Sequence, residues 1–226
     1  CPSDTSSGAS LSICFSTVSD PDGNSYNTIL LGSQCWMKEN YEYDGSTSGN
    51  GCRDSTWVNL TDVGWCGYYS GGSEGLLYQW SAIMNHTTTE GAQGLCPDGW
   101  HVPSDEEWKT LEGFLGMSES EQDQGASYRG TDEGSKMAND IGSVSWDAGF
   151  LSSNGNFGSS GLDIPPAGYR DKLGGYTKRT SNAHIWTSTE YNTGESWIRG
   201  LWYSNSGVLR NYYDKEEARS VRCIKD

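Results

Sequence analysis

Few residues in this chain of 226 amino acids have the types and spacing of known catalytic motifs. The three histidines, His86, His101 and His184, belong to no Ser-His-Asp, Gly-x-Ser-x-Gly or His-Glu-x-x-His arrangement. His101 stands between Trp100 and Val102 just before a helix start, where a structural histidine bonded to a backbone carbonyl is the simpler interpretation. The sequence therefore predicts no catalytic residues, no cofactor and no enzymatic activity.

Asp20, Asp22 and Asn24 alternate like the ligands of a calcium-binding loop. The EF-hand loop also requires Gly at its sixth position and Glu at its twelfth. Ser25 and Leu31 occupy those positions here. We therefore expect a plain hairpin turn at this point and assign no metal ligands.

Seven cysteines are scattered along the chain: Cys1, Cys14, Cys35, Cys52, Cys66, Cys96 and Cys223. No two form a Cys-x-x-Cys pair, which argues against zinc ribbons and thioredoxin-type redox chemistry. Such spacing favours disulfides, and setting Cys1 aside leaves an even number whose connectivity the sequence leaves open. Cys1, followed by a Ser-rich stretch, resembles the lipid-bearing start of a mature bacterial lipoprotein, although a trimmed boundary would look the same.

The net charge argues against one class of partner, and the hydropathy argues against a membrane-spanning segment. The formal net charge of −15 argues against nucleic acid, because phosphate contacts need clustered Lys and Arg. No run of about 18 apolar residues occurs, so no transmembrane segment is predicted.

Local patterns predict one α+β domain over residues 20–226, preceded by a polar lead-in at 1–19. A hairpin is expected from strands at 26–31 and 34–37, followed by an irregular Gly-rich stretch at 44–75. Apolar spacing favours a helix at 76–85, and a weaker helix is predicted at 133–141. A third begins after Ser104, which forms a capping box with Glu107. Further strands are expected at 185–188, 197–203, 208–212 and 220–224.

The last 41 residues, from Trp186 on, are dense in Tyr, Trp, Asn, Ser and Arg. Tyr and Trp give large, stiff contacts, and Asn and Ser give adaptable hydrogen bonding, as in recognition surfaces. A twisted sheet with aromatic cross-strand pairs would use similar residues. Recognition is the favoured interpretation of this segment.

Six ordered phrases carry a resemblance to a known family. They are Asp22-Gly23-Asn24 through Trp36-Met37-Lys38-Glu39-Asn40, Leu77-Tyr78-Gln79-Trp80-Ser81-Ala82, Cys96-Pro97-Asp98-Gly99-Trp100-His101-Val102-Pro103-Ser104, Pro166-Ala167-Gly168-Tyr169-Arg170, Trp186-Thr187-Ser188-Thr189-Glu190 and Ser220-Val221-Arg222-Cys223. In this order they resemble the Fibrobacter succinogenes major paralogous domain over roughly residues 20–226.

The resemblance implies a C-type lectin-like fold, with two main helices, a mixed and mostly antiparallel sheet, and long irregular loops. Some members resemble the variable proteins of diversity-generating retroelements, whose C-terminal segment is diversified for ligand binding. Here that segment would be residues 186–226. The calcium- and sugar-binding tripeptides of C-type lectins and the reactive Cys pair of formylglycine-generating enzymes are absent, so neither activity is implied.

Carried over residue by residue, the resemblance divides the C-terminal strands into two sets. Arg199, Leu201, Tyr203, Val208 and Arg210 are scaffold positions. The display positions, which are expected to contact ligand, are Tyr191, Asn192, Ser196, Ile198, Gly200, Trp202, Ser204, Asn205, Gly207, Leu209, Asn211, Tyr212, Tyr213 and Asp214. An exposed Trp202 and Leu209 would be suited to act as binding anchors.

The resemblance also implies a disulfide pairing. Lectin-type folds join the region of such a capped helix to the terminal strand, which pairs Cys96 with Cys223. Cys52 and Cys66 would close the Gly-rich stretch, and Cys14 and Cys35 remain as a pair.

The leading function is therefore a non-enzymatic recognition protein outside the cell or on a cell or virion surface. Its ligand would be an unidentified protein or glycan. A structural envelope lipoprotein anchored at Cys1 is one alternative. A glycan-active enzyme that uses a pair of carboxylates is another.

Overall fold

A computed structural model describes residues 14–49, 51–53, 57, 64–141 and 144–226. Cys1 and most of the expected lead-in lie outside the described residues. In the described part the chain forms 14 β-strands and five short α-helices. All pairings between named strands are antiparallel.

The strands form three sheets. The first has the order β1-β2-β3-β14-β6, the second β10-β11-β12-β7 and the third β4-β5-β13-β8-β9. Their bounds are β1 (Thr17–Ser19), β2 (Ser25–Leu31), β3 (Gln34–Met37), β4 (Cys66–Tyr68), β5 (Leu76–Gln79), β6 (Trp100–His101), β7 (Ser127–Arg129), β8 (Tyr169–Arg170), β9 (Tyr176–Thr177), β10 (Asn182–Glu190), β11 (Glu195–Trp202), β12 (Asn205–Asp214), β13 (Ala218–Arg219) and β14 (Ile224–Lys225).

The expectation of an α+β, C-type lectin-like fold with two main helices is wrong. The α-helices are α1 (Trp80–Ile83), α2 (Asp105–Leu115), α3 (Glu119–Gln122), α4 (Glu133–Met137) and α5 (Phe150–Ser153), with a short 3-10 helix at Ser46–Ser48. Of these only α2 exceeds five residues. The molecule is mostly β, and α2 lies against one of three antiparallel sheets.

The helix expected at 76–85 is half strand. Leu76, Leu77, Tyr78 and Gln79 are all buried, and β5 is hydrogen-bonded to β4 on one side and β13 on the other. Only α1 follows, as a single turn. A short apolar run that is buried on both faces has no periodicity that separates a strand from a helix.

Other local expectations hold. The hairpin of β2 and β3 forms with Leu31 opposite Gln34. Ser104 caps α2, because its side chain accepts from the backbone N–H of Glu107 while the Glu107 carboxylate accepts from that of Ser104. One does not: the strand expected at 220–224 is absent, because β13 ends at Arg219, β14 begins at Ile224 and the two belong to different sheets.

The buried core consists of three clusters of side chains. Two are large and lie on opposite sides of the second sheet, and the third is smaller. Trp36 on β3 and Trp108 on α2 are both fully buried, with ring centres 4.8 Å apart. Leu201 on β11 belongs to the same cluster. Ile198, on the opposite face of β11, packs in the other large cluster with Trp186. The middle of the second sheet is therefore covered on both faces.

Three disulfides form, and the expected pairing is confirmed. They join Cys14 to Cys35, Cys52 to Cys66 and Cys96 to Cys223. Disulfides of this kind indicate an extracellular or otherwise oxidising environment. Within the described ranges, no helix has the length and apolar character needed to cross a membrane.

Candidate functional site

Three of the chemistry-bearing residues noted in the sequence, Asp20, His101 and His184, have structural partners. Asp20 accepts hydrogen bonds from the backbone N–H groups of Asp22 and Asn24 at 3.0 Å and from the hydroxyl of Tyr26 at 2.7 Å. This carboxylate fixes the turn before β2. Among the residues that the structure describes, no three His, Cys, Asp or Glu side chains converge to hold a metal ion.

His101 connects the start of α2 to the last residue of the sequence. Its two ring nitrogens lie 2.8 Å from Glu107 Oε1 and 2.6 Å from Asp226 Oδ1. Burial lowers the pKa of His101, but the hydrogen bonds to Glu107 and Asp226 outweigh it and raise the pKa above its usual range. The expected backbone carbonyl partner is thus replaced by two carboxylates.

The second sheet brings many of the display positions together on one face. Across β11 and β12, Ser196 pairs with Tyr213, Ile198 with Asn211 and Gly200 with Leu209. Directly opposed residues in an antiparallel pair project to the same side of the sheet. The register therefore places these six display positions on one face of the sheet.

Five display positions are nevertheless buried: Ser196, Ile198, Gly200, Gly207 and Leu209. Ile198 is in the core, and the hydroxyl of Ser196 donates to the backbone carbonyls of Thr187 and Thr189. A side chain at Gly207 would place its Cβ 2.5 Å from the backbone oxygen of Arg129. These positions support the sheet and do not contribute to its accessible surface.

The accessible part of this face is aromatic. Trp202 is 37% exposed, and its ring centre lies 5.9 Å from that of the half-buried Tyr128 on β7. Beyond the buried Leu209, which pairs with Tyr128, the half-buried Asn211 and Tyr213 follow along β12. Burial, and secondarily Tyr213, raises the pKa of Tyr128 to about 12. We call the set Tyr128, Tyr169, Trp202, Asn211 and Tyr213 the aromatic surface.

A buried histidine holds one end of the aromatic surface. The His184 ring stacks between Tyr169 and Tyr213, with ring centres at 4.8 and 5.6 Å. The Arg219 guanidinium lies 4.2 Å from the centre of the Tyr213 ring and contacts His184 Nδ1. Burial, and then the Arg219 charge, lowers the pKa of His184 well below its usual range, so the imidazole is neutral at physiological pH.

Two other display residues lie on a different face. Tyr191 and Tyr212 stack in parallel, with ring centres 3.6 Å apart, and both meet the edge or face of Trp197 at right angles. Tyr212 pairs with Trp197 across β11 and β12, on the opposite side from Tyr213. The display set is thus divided between two aromatic clusters that the sheet separates.

The remaining display residues form turns. Asn192 Oδ1 accepts from the N–H of Gly194 at 2.8 Å, and Asn205 Oδ1 accepts from that of Gly207 at 2.8 Å. Asp214 Oδ1 accepts from the N–H of Glu216 at 3.0 Å. Ser204 lies half-buried in the two-residue connection between β11 and β12.

The scaffold positions lie where they were expected. Arg199, Leu201, Val208 and Arg210 are buried, and Tyr203 is half-buried. Arg199 Nε lies 2.6 Å from Glu112 Oε1, and its Nη1 lies 2.7 Å from Asp105 Oδ1. Arg210 donates to the same Asp105 carboxylate. Burial would raise the pKa of Asp105, but Arg210 and Arg199 together hold it well below its usual range.

Sequence reasoning missed Tyr128, Tyr169 and Trp197 as members of these clusters. Tyr128 reaches the site because β7 pairs with β12, more than 70 residues further along the chain. Tyr169 belongs to the Pro166-Ala167-Gly168-Tyr169-Arg170 phrase, which was the one available signal.

A family model described as the Fibrobacter succinogenes major domain matches residues 29–225. The chain belongs to this family. Comparison of this Fibrobacter succinogenes major domain with the curated proteins and with the solved structures gave no match in either set. The family match spans the entire second sheet, so the aromatic surface is part of the family domain.

Proposed function

We propose that this protein is a non-enzymatic recognition protein that binds a protein or glycan ligand through the aromatic surface. The observation that carries the proposal is the exposure of Trp202, 37%, beside Tyr128 on a face whose neighbouring positions are buried. Large aromatic residues at the centre of a surface are common binding hot spots. Asn211 adds a polar group that can hydrogen-bond to a ligand.

The support beneath the surface favours binding without rearrangement. Arg199 and Arg210 bind the carboxylate of Asp105, which holds β11 and β12 against the start of α2. His184 and Arg219 stack behind Tyr213. A rigid aromatic surface loses little conformational entropy when a ligand binds.

We further propose that the accessible positions of the aromatic surface are diversified, as in the variable proteins of diversity-generating retroelements. Trp202, Asn211 and Tyr213 are the positions of the C-terminal segment that combine accessibility with this face. The test is the flanking DNA. A reverse transcriptase gene and an adenine-rich near-copy of the 3′ coding end would support the proposal, and the absence of both would overturn it.

The oxidising environment indicated by the three disulfides suits a protein that meets its ligand outside the cytoplasm. We place it outside the cell or on a cell or virion surface. The lipid anchor considered at Cys1 lies outside the described residues.

Binding to a glycan array and to an array of cell-surface proteins tests the proposal. The wild-type protein is compared with Trp202→Ala and with Phe114→Ala, because Phe114 is 56% exposed on α2 and lies outside the aromatic surface. We expect a ligand whose affinity falls about 30-fold with Trp202→Ala, the loss of one hot spot of about 2 kcal/mol. Phe114→Ala should bind like the wild type. An absence of binding on both arrays, or binding that Trp202→Ala leaves intact, would overturn the proposal.

A further inference from the structure

A cleft formed partly by the C-terminal segment shares no residue with the aromatic surface. It is a cleft of about 330 Å³, within the size range of small-molecule sites. We call it the Lys215 cleft and define it by Trp80, His86, Thr88, Glu190, Thr193 and Lys215.

Lys215 is held rigidly in this cleft. Its side chain is 6% exposed, and its ammonium pairs with the Glu190 carboxylate and donates to the Thr193 backbone oxygen at 3.2 Å. It also lies 4.2 Å from the centre of the Trp80 ring. A buried ammonium held by a carboxylate, a carbonyl and an aromatic face is a preorganised hydrogen-bond donor.

Several polar groups around Lys215 have hydrogen-bonding capacity to spare. Within the described residues, the hydroxyls of Thr88 and Thr193 and both ring nitrogens of His86 make no hydrogen bond. His86 reaches the cleft through a turn in which Asn85 and His86 have φ angles of 48° and 64°. Two successive non-Gly residues in the left-handed region are uncommon, and such backbone strain is concentrated at functional sites.

The charge balance selects among ligand classes. Glu190 already neutralises Lys215, so an added anion or cation would meet a like charge together with the opposite one. Hydroxyl groups both donate and accept, and they can use the ammonium, the carboxylate, the threonine hydroxyls and the imidazole together. We propose that the Lys215 cleft binds a neutral polyhydroxylated group, a single sugar residue. This inference does not depend on the function proposed for the aromatic surface.

The indole N–H of Trp80 is a direct probe of the cleft, because it donates to the Thr187 carbonyl at 2.9 Å and its ring underlies Lys215. The experiment follows this signal in ¹H–¹⁵N spectra of the labelled protein, with assignment from Trp80→Phe. The probes are methyl glycosides of glucose, galactose and mannose, and N-acetylglucosamine, with acetate and glycine as charged comparisons. At least one sugar should shift the signal saturably, while acetate and glycine should not.

A pair of variants locates the binding. Thr88→Val and Thr193→Val each replace one hydroxyl by a methyl group. Thr193→Val keeps the backbone oxygen that Lys215 binds. Their combination should weaken sugar binding about tenfold or more, as expected for two lost hydrogen bonds. Thr110→Val on α2 is the matched control and should leave binding unchanged. If no sugar shifts the Trp80 signal, if acetate or glycine binds in its place, or if the double variant binds like the wild type, the proposal is overturned.

Discussion

Arg199 Nη1 on β11 lies 2.7 Å from Asp105 Oδ1 at the start of α2, and both side chains are buried. The same guanidinium reaches Glu112 one turn from the end of α2, so one arginine fixes the longest helix against the second sheet. Arg129 on β7 also binds Glu112, at 2.7 Å. Replacing Arg199 would remove charged hydrogen bonds from both buried carboxylates.

Replacing this arginine should therefore be costly. Arg199→Met leaves Asp105 with Arg210 and Glu112 with Arg129, so each carboxylate keeps one cation. We expect the free energy of unfolding to fall by about 1.5–3 kcal/mol, because charged hydrogen bonds to both carboxylates are lost. Arg53→Met is the control, because the Arg53 side chain is 49% exposed and lies 3.8 Å from its carboxylate partner. That change should cost at most about 1 kcal/mol. Urea unfolding measures both, and equal losses would contradict the assignment.

Neighbouring residues on β11 should separate folding from recognition. Leu201→Ala removes a fully buried core side chain and should cost about 2–5 kcal/mol. Trp202→Ala removes an exposed ring and its contact with Tyr128, which should cost about 1.5 kcal/mol or less. If urea unfolding shows Trp202 to be the more important of the two for stability, the two faces of β11 have been assigned the wrong way round.

Gly207 should not tolerate a side chain although it was placed among the display positions. A Cβ there would lie 2.5 Å from the backbone oxygen of Arg129, which the pairing of β7 with β12 holds in place. Gly207→Ala should cost about 1–3 kcal/mol through strain. Gly194→Ala is the matched control, because its Cβ would meet only Asn192 Oδ1, at 3.7 Å. That change should stay within about 0.5 kcal/mol by thermal or urea unfolding.

The secondary structure was predictable from the sequence only where its signals are local. The capping box at Ser104 and the hairpin of β2 and β3 were predictable, because their signals lie within a few residues of chain. The strand at Leu76–Gln79 was not, since one of its two partners, β13, lies about 140 residues further on. Local spacing at these residues fits a helix equally well.

The candidate site shows the same division. The resemblance put Ser196, Ile198 and Gly200 in one set, and the register places all three on one face. It could not predict which part of that face is covered. Burial depends on Trp186 and other side chains that pack from distant segments, and these leave only the Trp202 end and the outer part of β12 accessible.

His101 gives the stability a specific dependence on pH. Its pKa is raised in the folded protein, so its contribution is fully present below the unfolded value of about 6.5 and is lost as pH rises through the folded value. Glu107 and Asp226 are the charged groups that contact it. The stability difference between wild type and His101→Gln should therefore be largest below pH 6.5 and shrink above it. Urea unfolding across this range measures the difference, and a difference that grows with pH would contradict the assignment.

The disulfides close loops of very different length. Cys96–Cys223 spans 127 residues and Cys52–Cys66 spans 14. In the chain-entropy model, replacing the first pair by Ala should cost about 2 kcal/mol more than replacing the second. Urea unfolding of the two double variants, without reductant, measures this difference. Equal losses would show that unfolded-state entropy does not set the contribution of these bonds.

The Cys96–Cys223 bond also has a consequence for survival among proteases. Every residue of the aromatic surface, from Tyr128 to Tyr213, lies between its two cysteines. A single backbone cut anywhere in that interval leaves the two fragments covalently joined. A nicked molecule would keep its ligand-contacting strands attached to the rest of the chain until a reductant or a second cut released them.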